Sequence, residues 1–155
     1  MSKPDFVYVT YIKTTPDKLW EALTSSEFSR RYWFGTELRS DFKVGSPFAL
    51  VMGGKVTDSG EILEADRPRR LSYTFKHELD DAMRKDGATK VVFTLEPHGD
   101  LVKLTLTHEG FAKESKLQDG ISKGWPAILS NLKSLLESGN ALTIPLGALG
   151  IEGVA

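Results

Sequence analysis

The chain has 155 residues, of which 40% are hydrophobic and 26% charged, the composition of one globular domain. Its 20 basic and 21 acidic residues leave a net charge of -1, which removes any global electrostatic case for nucleic acid or an anionic membrane. There is no cysteine, so disulfides, thiolate metal sites and cysteine nucleophiles are excluded together; with no apolar run of signal-peptide or membrane-span length, the cytoplasm is the expected location.

In chain order, Phe6 to Lys13 is rich in β-branched and aromatic residues and predicts a first strand. Thr15-Pro16 then supplies a helix cap followed by a residue pre-set for the first turn, and Leu19, Trp20 and Leu23 give that short helix an apolar edge. Ser25 or Ser26 caps a second short helix carrying Phe28, Tyr32 and Trp33, which ends before Gly35. From there the apolar period changes to two. Thr36 to Phe42, Phe48 to Met52, Lys55 to Ala65, Arg70 to His77, Lys90 to Pro97 and Leu101 to His108 predict six strands, with Gly53-Gly54 marking a hairpin and Glu78 to Ala88 a charged loop or helical turn.

The segment Gly120 to Gly139 returns to a helical period. Ile121, Trp125, Ile128, Leu129, Leu132, Leu135 and Leu136 form one broad stripe, Gly139 is a natural stop, and Pro126 places the regular part at about Gly124 to Ser138. Burying those seven side chains is worth roughly 10 to 20 kcal/mol gross, which no isolated helix of this length realises in water. The helix must therefore cover the apolar face of the sheet, and a curved sheet gripping a helix follows. This is an α+β chain with one domain over residues 1–139 and an apolar, Gly-rich tail over 140–155, either loose or docked on the domain or on a second copy.

The order of elements, together with TTPDKLWEALT at Thr14 to Thr24, YWFGTE at Tyr32 to Glu37, DFKVGSPF at Asp41 to Phe48, DSGEILEADRPRRLSYTF at Asp58 to Phe75 and GWPAILSNLKSLLESG at Gly124 to Gly139, resembles the helix-grip superfamily, also called START-like or SRPBCC. Within it the chain is most similar to the group named after the activator of the heat-shock protein ninety ATPase. The resemblance covers about Phe6 to Ser138. It implies a curved antiparallel sheet of about seven strands around a long C-terminal helix, two short helices after the first strand, and a cavity between sheet and helix for a lipid-like or polyketide-like molecule. It implies no common reaction, since members include binders, transporters, cyclases and co-chaperones.

Alternation turns Phe48, Leu50, Met52, Tyr73, Phe75, Phe93, Leu95, Leu104 and Leu106 toward Trp125 and Leu129 of the helix, and with Trp33 these are the expected cavity-lining, ligand-binding residues. His77 and His108 are the ionisable groups that alternation puts on the same face, and they complete the set. Pairing Pro97 with Leu101 would set His108 opposite Lys90, with the two histidines about 9 to 10 Å apart at the cavity mouth. They would share a metal only if both leaned inward, so no metal and no cofactor is expected.

No paired carboxylate, nucleophile elbow or phosphate loop is assembled, because alternation sends Glu61 outward and Gly53-Gly54 lacks the strand-to-helix context. The expected function is thus non-catalytic binding of a hydrophobic small molecule. The alternatives are a cyclase- or hydrolase-like enzyme using His77, His108 or Tyr73 as acid or base, and a co-chaperone-like interaction module. A homodimer or a protein partner stays open, while nucleic acid and membrane are not expected partners. Trp125 is expected to border the ligand space, so Trp125→Ala should cost less than the ~3 kcal/mol of a core tryptophan while weakening ligand binding.

Overall fold

The computed structural model describes residues 5–142 and Ile144, and the tail beyond Leu142 lies otherwise outside the described residues. The elements are β1 (Phe6–Ile12), α1 (Pro16–Thr24), α2 (Ser26–Tyr32), β2 (Glu37–Ser40), β3 (Pro47–Met52), β4 (Lys55–Asp66), β5 (Arg70–His77), α3 (Asp81–Arg84), β6 (Thr89–His98), β7 (Leu101–Glu109) and α4 (Lys116–Ser138). All seven strands join one antiparallel sheet in the order β1-β7-β6-β5-β4-β3-β2, so β1 and β2 are its edges. The inward faces of the strands, α1, α2 and α4 enclose a single apolar core. This is the expected helix-grip arrangement. Among the described residues no helix is long and apolar enough to cross a membrane, which says nothing of β-barrels.

Local chemistry accounts for most boundaries. Thr15 Oγ1 accepts from Lys18 N at 3.2 Å ahead of Pro16, the cap read from the sequence. Gly53 and Gly54, with φ of 57° and 80°, form the two-residue turn that matches strand twist and pairs Met52 with Lys55. In α2 the buried Ser29 hydroxyl donates to Thr36 O at 2.8 Å and accepts from Leu38 N at 3.0 Å, which fastens the helix to β2.

Three expectations are corrected. The helix α4 begins at Lys116, two turns before Gly124, and Pro126 lies inside it. Ser115 starts it by accepting from Gln118 N at 2.9 Å, and Asp86 holds Ser115 in turn with an Oδ2 that accepts from the hydroxyl at 2.6 Å and from Ala112 N at 2.9 Å. Ser115 and Gln118 have the spacing of a capping box, a sequence signal that the glycines and Pro126 outweighed. Second, the β6–β7 turn is Gly99-Asp100, with Gly99 at φ 63° in the first central position, so His98 pairs with Leu101 and His108 lies opposite Val91, not Lys90. Third, alternation fails at the end of β3. The register with β4 shifts there, Val51 is buried, and Met52 is only half-buried.

One glycine is required by space. A Cβ at Gly60 would stand 1.9 Å from the carbonyl oxygen of Thr74 on β5, an approach no side chain can make. Gly60→Ala should therefore separate β4 from β5 locally and cost at least ~2 kcal/mol, measured as a lower denaturant midpoint at unchanged m-value.

Candidate functional site

The concave face of the sheet and the inner stripe of α4 meet across large rings rather than through close backbone contact. Trp125, at the middle of α4, packs edge-on against Trp33 at 5.2 Å and Phe93 at 5.9 Å between ring centroids, with Phe75 at 6.2 Å. Phe48 stacks on Tyr73 at 4.1 Å, and Tyr73 leans on Phe93. Such offset and edge-to-face pairs satisfy the ring quadrupoles and fix the mutual angles of the cluster.

Of the residues expected to line the site, Trp33, Phe48, Leu50, Tyr73, Phe75, Phe93 and Leu95 are buried in this core, as are Leu104, Leu106, His108, Trp125 and Leu129. Met52 and His77 sit at its rim, partly exposed. Trp125 is 2% exposed and surrounded by rings, so the expectation that its truncation costs little is reversed.

His108 is at the centre of a chain of hydrogen bonds whose direction the donors dictate. The Trp125 indole N–H, a donor with no acceptor capacity, donates to His108 Nδ1 at 3.0 Å. Thr89 Oγ1 lies 2.6 Å from the carbonyl oxygen of Phe75, to which its hydroxyl must donate, and 2.7 Å from His108 Nε2, from which it must therefore accept. His108 is thus the neutral imidazole carrying its proton on Nε2. Burial, slightly opposed by Asp5, pushes its pKa down to about 3. A protonated ring would turn a second N–H toward the indole N–H and has no place here. Both nitrogens of His108 are occupied by partners within the fold.

His77 is separate from His108. Its Nδ1 is 3.0 Å from Asp58 Oδ1 across the β4–β5 pair, both side chains largely buried. Asp58 orients the ring and leaves Nε2 without a partner among the described residues. Next to the pair, the Ser59 hydroxyl bonds the Glu78 carboxylate. Asp58 belongs to an acidic string with Glu61, Glu64 and Asp66 and was not among the expected site residues, yet it shares parity with the inward Ile62, which was a usable sign. The two histidines do not converge on one point, and the shared-metal geometry is not formed.

Two further polar groups face the interior. The Tyr73 hydroxyl makes no hydrogen bond to a described residue, and burial, with Tyr32 and Asp58 adding to it, raises its pKa well above the usual phenol range. Asn131, 3% exposed, donates from Nδ2 to Tyr32 O at 3.2 Å, while its Oδ1 is buried without a partner among the described residues. That bond sets the amide orientation, since turning it would face two oxygens together. Asn131 stands three residues after Ile128 and four before Leu135, so its inward position was legible from the helical period.

Sheet, gripped helix and an aromatic interior with a few buried polar groups define a START-like helix-grip domain. The chain belongs to the family described as Activator of Hsp90 ATPase homolog 1-like protein, whose model matches residues 13–137. Its fold is shared with the Aha1 dimer from Colwellia psychrerythraea, at TM-score 0.72 and 19% identity over 86% of this chain and 96% of that one. It is also that of an HSP90 activator from Plasmodium falciparum, at TM-score 0.73 and 21% identity over 86% and 96%. CalU16 from Micromonospora echinospora is similar at TM-score 0.69 and 24% identity over 86% of this chain and 76% of its own. Among curated proteins no relative matches significantly.

Proposed function

We propose that this domain binds, without catalysis, a largely apolar small molecule carrying a hydrogen-bond donor, between the concave face of the sheet and α4. The observation that carries this reading is Asn131 Oδ1. A buried acceptor without a partner costs about 1 to 3 kcal/mol, and a ligand hydroxyl or amine reaching it recovers that free energy on binding. The aromatic walls supply the apolar contact, their faces and edges suiting a flat, largely apolar molecule. A non-catalytic role agrees with His108, whose two nitrogens are both occupied by the fold.

A panel of hydrophobic fluorophores, fatty acids and hydroxylated aromatics tests the proposal: members should bind at about one per chain and raise the melting temperature. Asn131→Leu exchanges one hydrogen bond for relief of an unpaired acceptor, so stability should change by less than ~1 kcal/mol, while donor-bearing ligands lose about tenfold in affinity and donor-free ones do not. If no member of the panel binds, the proposal fails.

A second reading, a chaperone-associated role, is favoured by the family itself and by the likeness to an HSP90 activator. Stimulation of the ATPase of an Hsp90 from the same source would support it, and an unchanged rate with no complex in solution would remove it. An enzymatic role, the remaining alternative, would fall to His77, whose Nε2 has no partner among the described residues. Turnover lost in His77→Gln, with ligand binding measured in the same variant, would support it, and the absence of any turnover in the parent protein would remove it.

A further inference from the structure

We propose that Asp58 and His77 form a cation-binding subsite at the mouth of this interior, taking the protonated amine of an otherwise apolar ligand; this rests on reading the interior as a ligand site. The first support is the incomplete pairing of a buried charge. The Asp58 and His77 side chains are 12% and 17% exposed, and Asp58 Oδ1 accepts from His77 Nδ1 at 3.0 Å. Among the described residues no lysine or arginine is within ion-pair distance of Asp58, and neither Asp58 Oδ2 nor His77 Nε2 has a partner. A carboxylate withdrawn from water is costly unless a cation joins it, and a neutral imidazole leaves its charge uncompensated.

The second support is the direction of the neighbouring charges. Lys76 alternates to the outer face of β5 opposite Ser59, and the Ser59 hydroxyl holds the Glu78 carboxylate on that face. On the inner face the pair meets apolar walls, with Leu50 across from Asp58 and Phe75 two residues before His77, both buried. Burial first, then Tyr32 and Asp58, raise the Tyr73 phenol, so the Asp58 charge acts on the interior. With the Nδ1 proton directed at Asp58, Nε2 of the neutral ring is a second acceptor. Two acceptors and one uncompensated negative charge match an ammonium group; a hydroxyl leaves the charge unpaired, and a carboxylate is repelled.

The third support is a gap in the wall at the same end. At about 100° per residue, Gly120, Gly124 and Asn131 fall within about 40° of one another around α4, on the flank opposite Gln118, Lys133 and Glu137, which reach β1. Met83 of α3 covers Gly120, where an added Cβ would stand 3.2 Å from its Cε, and Tyr32 O holds Asn131. Between them a Cβ at Gly124 would meet nothing within 4 Å. This notch lies beside Trp125, whose ring is 6.2 Å from Phe75, and β5 leads from His77 through three residues into α3, so pair and notch open together. Asn131 is seven residues past Gly124, about 10 Å along the helix axis, within reach of the apolar body of a ligand whose amine stays at the mouth.

Calorimetric titration with decylamine, decanol and decanoate, which share one chain and differ in head group, tests this at neutral pH, where the amine is protonated and the acid ionised. Decylamine should bind at least ~10-fold more tightly than either of the others, and the His77 ring resonances should move with decylamine more than with decanol. In Asp58→Asn, which keeps an oxygen for His77 Nδ1, the preference for amine over alcohol should fall below ~3-fold. If that variant does not fold, the head-group ranking and the His77 resonances of the unaltered protein decide. Equal affinity for decylamine and decanol overturns the subsite while leaving the ligand site in place, and so does a preference that survives in Asp58→Asn. Tightest binding of decanoate also overturns it, since it would show a doubly protonated ring presenting Nε2–H. Binding of none of the three removes the ligand site itself and this subsite with it.

Discussion

Trp125→Ala is expected to cost about 4 to 5 kcal/mol, near the upper end for truncating a large core aromatic. The ring lies at 2% exposure among Trp33, Phe75, Phe93 and His108, so its removal forfeits transfer free energy and leaves a cavity bounded by side chains that are tied elsewhere. It also strips His108 Nδ1 of its donor inside that cavity. Trp125→Phe separates the two parts. It keeps most of the ring, so the loss should fall to roughly 1 to 3 kcal/mol, the cost of a buried acceptor without its partner. Chemical denaturation of both variants decides it; a loss below ~2 kcal/mol for the alanine variant would mean that the indole borders open space.

Mild acid should destabilise the protein through His108. In the folded state its pKa lies at about 3, whereas an unfolded histidine titrates near ~6.5. Between those values the unfolded chain binds a proton that the folded chain does not, so stability rises with pH across the window. The contribution is fully present above about pH 6.5 and is lost on acidification toward pH 3, at up to ~1.4 kcal/mol per pH unit. From pH 7.5 to pH 5 the loss should reach roughly 2 kcal/mol, in a range where carboxylates are still largely ionised in both states. Glu37, held down by Arg39, and Glu137, held down by Lys133, add their own losses only at lower pH. Urea melts at the two pH values measure the effect. In His108→Leu the extra slope should vanish although the variant starts less stable, and in Trp125→Phe it should shrink, because Nδ1 no longer faces an N–H and protonates more readily. A slope unchanged in His108→Leu would assign the acid sensitivity to other groups.

What could be read without coordinates was what local chemistry dictates. The helical stripe from Ile121 to Leu136 and the two-residue alternation from Leu71 to Leu106 are properties of neighbouring residues, so they determined the elements, the gripping of α4 by the sheet, and the inward set around Trp125. The motifs around Thr15-Pro16 and Gly53-Gly54 worked for the same reason, each being complete within a few residues.

The tertiary structure alone decided whatever depends on a partner distant in the chain. A one-residue difference in the β6–β7 turn moved His108 from Lys90 to Val91, and with it the whole register. His108 bonds Thr89 and Trp125 at sequence separations of 19 and 17, and Asn131 bonds Tyr32 O across 99 residues. No periodicity encodes such pairings, because they arise from where strand twist and helix packing bring side chains together. A buried polar group has a definite proton position, or an unpaired lone pair, only once every neighbour that could have bonded it is in place.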